Sequence, residues 1–355
     1  MIYDVKHNGR HKSRLVAGGH LTPIPTESIY SGVVSLHGIR IIIFISELNG
    51  LTLWVADVGN AYLESLTKEK IYFIAGPEFG PLMGNTMIVH KALYGLCSSG
   101  LCWHERLSDI LYDMGFVPTL AESDIWIKQV DKHYEYIAVY VDDFAIASKN
   151  PESIVHELKE HFQLKLKGVG PITYHLGCDF FHDPDGTLCF GPKKYISKVV
   201  ENFVKYFNEK PKEYSSPLEK NDHPELDESE LLGEKDIKQY QSLIGAIQWA
   251  VSLGRFDVHT AVMTMSQFRI APHQGHLNCL KHIYGYLNKF HDGAIQVRTE
   301  PPDLTDVTDV EHDWSNSVYG SVQELIPENI PEPLGKTVTL THYCDANLYH
   351  DLVTG

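Results

Sequence analysis

The sequence predicts an α+β protein whose second part is helical, on three observations. Leu51 to Val58 alternates with the period of a strand, and Tyr134 to Ser148 reads as a strand pair folded back on itself. Apolar stripes at helical spacing lie between and after them. Two acidic, turn-rich stretches, 219–236 and 299–335, divide the chain into parts.

Taken in order, Leu51, Leu53, Val55 and Asp57 share one face of the first strand, and Asp57 stands at its end where "GNAYLES" begins a turn. After Ser98-Ser99-Gly100, Trp103, Leu107, Ile110, Leu111 and Met114 form a helical stripe, with Gly115 placed as its C-terminal stop. Ser123 to Val130 reads as a strand that precedes the hairpin 134–148. Asn150 is then a suitable N-cap and Pro151 a suitable first helical residue, and Ile154, Leu158 and Phe162 give that helix its buried side. Tyr240 to Leu287 reads as two or more helices, interrupted near Gly254 and around Pro272.

A chain of 355 residues can bury a large core and form more than one subdomain. No basic leader followed by an apolar run is visible at Met1, and the most apolar run, Ile39 to Ser46, contains Arg40 and is too short to span a bilayer. The expectation is a soluble, intracellular chain with no membrane partner. Six scattered cysteines without a C-x-x-C pair argue against a disulfide framework and against a zinc ribbon. His276, Cys279 and His282 have helical spacing that could hold a metal, but read more simply as a helix surface.

A net charge of −16 ordinarily counts against a nucleic-acid partner. The location of that charge removes the objection. Glu219 to Asp236 carries a balance of −6 and Thr299 to Gly335 one of −9, which leaves the rest near −1. Basic groups stand out at Lys12/Arg14, Lys165/Lys167 and Lys193/Lys194.

In "YEYIAVYVDDFAIAS", Tyr136, Ala138 and Tyr140 point to one face and Ile137, Val139 and Val141 to the other. Apolar groups on both faces predict a covered hairpin with Asp142 and Asp143 at its tip. Asp-Asp can be turn chemistry alone. Paired carboxylates between covered strands, however, are best stabilised by a divalent cation, and hard oxygen ligands select Mg²⁺ or Mn²⁺ over zinc. Two such ions can activate a 3′ hydroxyl and stabilise a leaving pyrophosphate. Asp57, at a strand end, is the best third carboxylate, although spacing alone does not make its strand a neighbour of the hairpin.

These segments resemble, in order, the motifs of the reverse transcriptases of copia-type long-terminal-repeat retrotransposons. "YVDD" resembles the catalytic motif, "VADVGNAYLES" the first palm motif and "KSRLVAGGH" the basic fingers segment. "KALYGLCSSGLCW" resembles the LYGL loop and "YHLGCDF" the primer-grip segment, where Leu176 and Gly177 fall. "YQSLIGAIQWAVSLGRFD" and "HLNCLKHIYGYL" resemble the region after the polymerase core. The resemblance covers about residues 1 to 295 and resumes near "HYCDANLYHDLVTG".

The resemblance implies a right-hand polymerase fold of fingers, palm and thumb. It implies that Asp57, Asp142 and Asp143 hold two Mg²⁺ (or Mn²⁺) ions with the Val58 carbonyl, Asp142 ranking above Asp143 because adjacent strand residues face opposite ways. Lys12 and Arg14 match positions that contact the incoming triphosphate. Tyr62 matches the aromatic beneath its sugar, and Gly95 a point of close approach to template or nucleotide. Lys167 would be the general acid for pyrophosphate, with Lys165 nearby. Asp345 resembles the first carboxylate of a ribonuclease H domain, and no ribonuclease H activity is expected. Where the family's LYGL loop continues with a basic residue and often Ser-Pro, this chain has Cys97 and Gly100, and its segment after Gly19 is shorter.

The implied organisation is 1–218 fingers, palm and start of thumb; 219–236 acidic linker; 237–295 helical thumb and connection; 296–336 acidic Pro-containing insertion; 337–355 start of ribonuclease H. The implied function is RNA-directed DNA polymerisation from dNTPs on a primed RNA or DNA template. The intact element would also carry integrase and ribonuclease H and work in a cytoplasmic virus-like particle. A catalytically inactive remnant that keeps the fold and nucleic-acid binding is the alternative, and an acidic protein-interaction module a more distant one.

Overall fold

The computed structural model describes residues 1–5, 11–22, 28–165, 168–219, 223–301, 303, 305, 313–318, 320 and 330–338. Lys167 and Asp345, both singled out above, lie outside the described residues.

The chain begins with a two-stranded hairpin, β1 (Ile2–Val5) and β2 (His11–Arg14), followed by α1 (Leu36–Asn49) and β3 (Thr52–Asp57). A second ribbon, β4 (Leu66–Ile74) and β5 (Thr86–Lys91), leads to α2 (Ser99–Asp113) and β6 (Val117–Pro118). Then come β7 (Ile125–Val130), β8 (His133–Tyr140), β9 (Asp143–Ser148) and α3 (Pro151–His161). Four short strands follow, β10 (Gly170–Pro171), β11 (Tyr174–His175), β12 (Cys178–His182) and β13 (Leu188–Gly191). Helices α4 (Lys193–Phe207), α5 (Glu234–Ser252), α6 (His259–Ser266) and α7 (Gln274–Lys289) precede β14 (Ile295–Gln296).

The central sheet has six antiparallel strands in the order β10-β3-β9-β8-β7-β6. Helices cover one of its faces: Trp103, Leu107, Ile110 and Leu111 of α2 and Ile154 and Leu158 of α3 pack on Ala56, Ile137, Val139, Phe144 and Ile146. The other face, with Leu53, Ala138, Ala145 and Ala147, packs on Ile39, Ile42 and Ile43 of α1 and on Phe180, Leu188 and Phe190 of the smaller sheet β11-β12-β13-β14. Alanines beneath both a helix and a second sheet let these layers approach closely. A third core holds Ile196, Val199 and Phe203 of α4 with the apolar faces of α5, α6 and α7. By packing, α4 therefore belongs to the helical unit.

The elements read from sequence appear with small shifts. Gly115 adopts φ +85° just past α2, a backbone that favours glycine. Pro151 opens α3, but Asn150 occupies the cap position without a side-chain capping bond; its own N–H donates to Ser148 Oγ at 2.8 Å. Acidic residues 223–232 are packed on α7: Pro224 O accepts from His276 Nε2 at 2.8 Å, Glu230 O from the Gln274 N–H at 2.8 Å and Pro272 O from the Leu232 N–H at 2.9 Å.

One expectation is corrected here. His276 and His282 are not a helix surface, being buried at 3% and 9% exposure. His276 stacks on Phe268 at 3.9 Å, and His282 stacks on Tyr214 at 3.6 Å while bonding Ser216 O. Both bury a polar ring by giving its nitrogen a backbone carbonyl. Among the described residues no group of three or more His, Cys, Asp or Glu side chains is arranged as a metal cluster, and no helix is long and apolar enough to cross a membrane.

Candidate active site

Sheet order answers what spacing could not. Strand β3 pairs with β9, and its register places Asp57 directly opposite Asp143. The β8–β9 hairpin closes through Val141 and Asp142, since Tyr140 is the partner of Asp143. Val141 takes φ +57°, a left-handed backbone that is strained for a β-branched residue. Its conformation is held from outside: Trp103 Nε1 donates to Val141 O at 2.8 Å, and the Val58 N–H donates to Asp142 O at 2.9 Å. Asp142 thus lies in the turn, where strand alternation does not apply, and both acids of the pair can serve the same site.

Asp143 feels both of its neighbouring carboxylates. Burial, then the charges of Asp142 and Asp57, push Asp143 up to about 6, while Lys165 opposes the rise. Lys165 Nζ is ion-paired with Asp57 and lies 3.8 Å from Asp142 Oδ2. Desolvation lowers the Lys165 pKa, but the Asp57 bond and the three acids outweigh it and the net shift is upward. The backbone fixes this lysine: the Lys165 N–H donates to Asp57 O at 2.8 Å, the Gly59 N–H to Gln163 O at 2.7 Å, and Leu164 bridges Val58. Gly168 completes the turn beside it, where an added Cβ would lie 2.7 Å from that of Asp57. Lys165, Gly168 and Trp103 were not assigned to the site from sequence. Only the pairing of 163–165 with 57–59 identifies Lys165, because the two lysines look alike in "LKLKG".

Aromatic rings join the acids to the fingers-like segment. Tyr62 packs on Tyr94 with centroids 4.9 Å apart, and the Arg14 guanidinium lies 5.7 Å from the Tyr94 ring centre. Burial raises the pKa of both tyrosines, and for both the charge of Asp142 adds to the rise. Lys12 shares the Arg14 face of β2 two residues away. Tyr94, the ring that links Arg14 to Tyr62, is a further residue that sequence reading passed over, although it lies inside the LYGL loop.

Gly95, at φ +89°, approaches the chain itself. A Cβ there would lie 2.2 Å from Ala17 O, one at Gly19 would lie 2.1 Å from Gly95 O, and the Ala17 N–H donates to Tyr94 O at 2.8 Å. The close approach visible at Gly95 is therefore backbone on backbone.

Leu176 and Gly177, at φ +44° and +91°, are the two-residue turn between β11 and β12, whose flanking partners are His175 and Cys178. That tip faces the acids across a cavity of about 470 Å³ lined by Asp57, Asp143, Gly168, Tyr174, His175 and Leu176. His175 is buried with its Nε2 lacking a hydrogen-bond partner, and burial lowers its pKa to about 4.

Comparison with known proteins identifies the family. The family described as reverse transcriptase (RNA-dependent DNA polymerase) matches residues 2–213. The chain is 27% identical over 299 residues to a retrovirus-related Pol polyprotein from transposon RE1 of Arabidopsis thaliana, covering 81% of this chain and 20% of that one. It is 27% identical over 290 residues to a putative transposon Ty5-1 protein of Saccharomyces cerevisiae, covering 80% and 88%. With the Pol polyprotein from transposon TNT 1-94 of Nicotiana tabacum the identity is 27% over 306 residues, covering 81% and 22%. The chain thus spans about a fifth of two of these relatives and most of the third. A solved foamy viral protease–reverse transcriptase covers 81% of the chain and 43% of its own at 15% identity and TM-score 0.45, a likeness below the level from which fold or function follows. The matched region runs from the first strand through α4 and takes in the aspartate trio, so the chain belongs to the reverse transcriptase (RNA-dependent DNA polymerase) family, in its copia-type retrotransposon branch.

Proposed function

We propose that the chain is an RNA-directed DNA polymerase that adds deoxynucleotides to a primer 3′ end on an RNA or DNA template. The observation that carries this reading is the register pairing of Asp57 with Asp143 beside Asp142, at the end of a sheet covered on both faces. The donor set is hard oxygen throughout, and the raised pKa of Asp143 marks negative charge that a divalent cation would relieve. Asp57, Asp142, Asp143 and the Val58 carbonyl would hold two Mg²⁺ or Mn²⁺ ions. Bound there, the ions supply activation of the 3′ hydroxyl and charge stabilisation of the leaving pyrophosphate.

The other residues bind and orient. Arg14, with Lys12 on the same strand face, supplies positive charge to the triphosphate, and Tyr94 holds that charge against Tyr62, whose ring would lie under the sugar. A ring in that place collides with a ribose 2′ hydroxyl and favours deoxynucleotides. Lys165 is a lysine set to hold a proton for the leaving group, because the backbone brings it to the acids. The Leu176–Gly177 turn would fix the primer end on the opposite wall of the cavity. In the intact element, integrase and ribonuclease H of the same polyprotein would act with it inside a cytoplasmic particle.

Primer extension on an RNA template with Mg²⁺ tests the reading. Incorporation by the parent and a loss of at least about 10²–10³-fold in Asp142→Asn is the expected result. Equal background in both proteins would sink it. Salt-dependent template binding without extension would instead identify an inactive remnant that keeps the fold.

A further inference from the structure

The β4–β5 ribbon leaves the body of the protein with one face uncovered. Strand β4 alternates strictly, with Leu66, Lys68, Lys70, Tyr72 and Ile74 exposed and the residues between them half-buried. In β5, Thr86, Ile88 and His90 are exposed likewise. The register pairs Tyr72 with Ile88 and Ile74 with Thr86, so these four form one continuous face with Lys70 next along β4, and a register shift between Leu66 and Ile71 separates them from the ribbon's base. Tyr72, Ile74 and Ile88 are 69%, 71% and 60% exposed, a cluster of apolar surface that a soluble chain rarely leaves bare without a partner.

The charge on that face selects the partner. None of the eight exposed positions named above carries a carboxylate, although the chain as a whole is at −16. Glu69 belongs to the opposite face, and Lys68 meets Glu105 of α2 near the ribbon's base. Lysines interleaved with an aromatic and aliphatic groups suit a single-stranded polyanion with stackable bases. The ribbon's position agrees. Its first strand follows the turn that carries Tyr62, and its second runs into Tyr94 and Gly95, with the Ala92 N–H donating to Ser65 O at 3.0 Å to close the base. Both ends therefore spring from the nucleotide site, and nine residues of strand reach about 30 Å beyond it.

We propose that the outer face of this ribbon carries the unpaired template strand ahead of the nucleotide site, with Tyr72 as a stacking platform and Lys70 on the phosphates. The proposal rests on the polymerase reading above and adds to it a specific surface.

Binding of the full chain to two labelled primer–templates, one blunt and one with a single-stranded 5′ template overhang, tests it without nucleotides or turnover. A failed extension assay therefore leaves this comparison intact. The parent is expected to prefer the overhang. Tyr72→Thr, which keeps a residue favoured in strands, should lose about 5- to 100-fold on the overhang substrate and little on the blunt one. Lys70→Gln should lower the slope of log affinity against log salt by about 0.7 on the overhang substrate only. No preference in the parent, no loss in either variant, or equal losses on both substrates would overturn the proposal. So would a parent dimer that Tyr72→Thr converts to monomer in sedimentation, since a second copy would then be what covers the face.

Discussion

The β8–β9 hairpin and the β4–β5 ribbon are both antiparallel strand pairs but have opposite surroundings. In the first, Ile137 and Val139 enter the core under α2 and α3, while Ala138 and Ala145 enter the core under α1. In the second, one side rests on the body and the other meets solvent. Two covered faces let a turn hold a strained valine and a cluster of like charges, because the surrounding packing determines the backbone. One open face supports no such strain but offers a surface. The comparison separates a part that must be rigid from one that is free to bind.

The comparison can be broken or sharpened by substitution, and the largest expected effect is in the covered hairpin. Phe144→Ala, one residue after the acid pair and fully buried, should destabilise the protein by about 3–5 kcal/mol in urea unfolding. Tyr72→Ala on the open face should change the same unfolding free energy by no more than about 0.5 kcal/mol. Equal costs would show that the ribbon is covered after all.

The next effect is a pH dependence. His175 is buried without a partner for Nε2 and its pKa is lowered to about 4, so folding favours the neutral ring. Its contribution is fully present above the unfolded value of about 6.5 and is lost as pH falls towards 4, an acid penalty of about 3 kcal/mol. His175→Phe should flatten the stability profile across that window. An unchanged profile would mean that His175 finds a proton partner in acid.

The smallest effect concerns His104, whose pKa is raised first by its hydrogen bond to Asp124. That contribution is fully present below the unfolded value of about 6.5 and fades as pH rises through the raised folded value. His104→Gln should remove a modest alkaline loss of stability while leaving the acid limb set by His175 in place. An identical alkaline limb in parent and variant would detach His104 from it.

Local structure was largely legible in the sequence. The hairpin, the α2 stripe with Gly115 and the Ile154–Leu158–Phe162 face follow from period and turn chemistry, which are local properties. Asp57 could be nominated as third carboxylate but not joined to the hairpin, since its pairing with Asp143 depends on strand order across more than eighty intervening residues. Lys165 and Tyr94 eluded sequence reasoning for a similar reason. One is brought in by a short backbone pairing after α3, the other by stacking between Arg14 and Tyr62. His276 and His282 were read as surface because a helical stripe does not reveal which carbonyls its neighbours, here Pro224 and Ser216, will offer.

The Asp57–Asp143 register also governs how a copied gene of this kind would decay. Deleting a single codon within β3 or β9 shifts the pairing by one residue and exchanges inward and outward side chains along the rest of the strand. With one residue of β3 lost before Asp57, Asp57 would stand opposite Phe144 instead of Asp143, although every aspartate codon survived. The same deletion in the stretch between β4 and β5 leaves the central sheet's pairing untouched. Copies that keep the aspartates but carry in-frame gaps in these two strands should be silent, so gap position distinguishes a functional copy from a relic better than the presence of the motif itself.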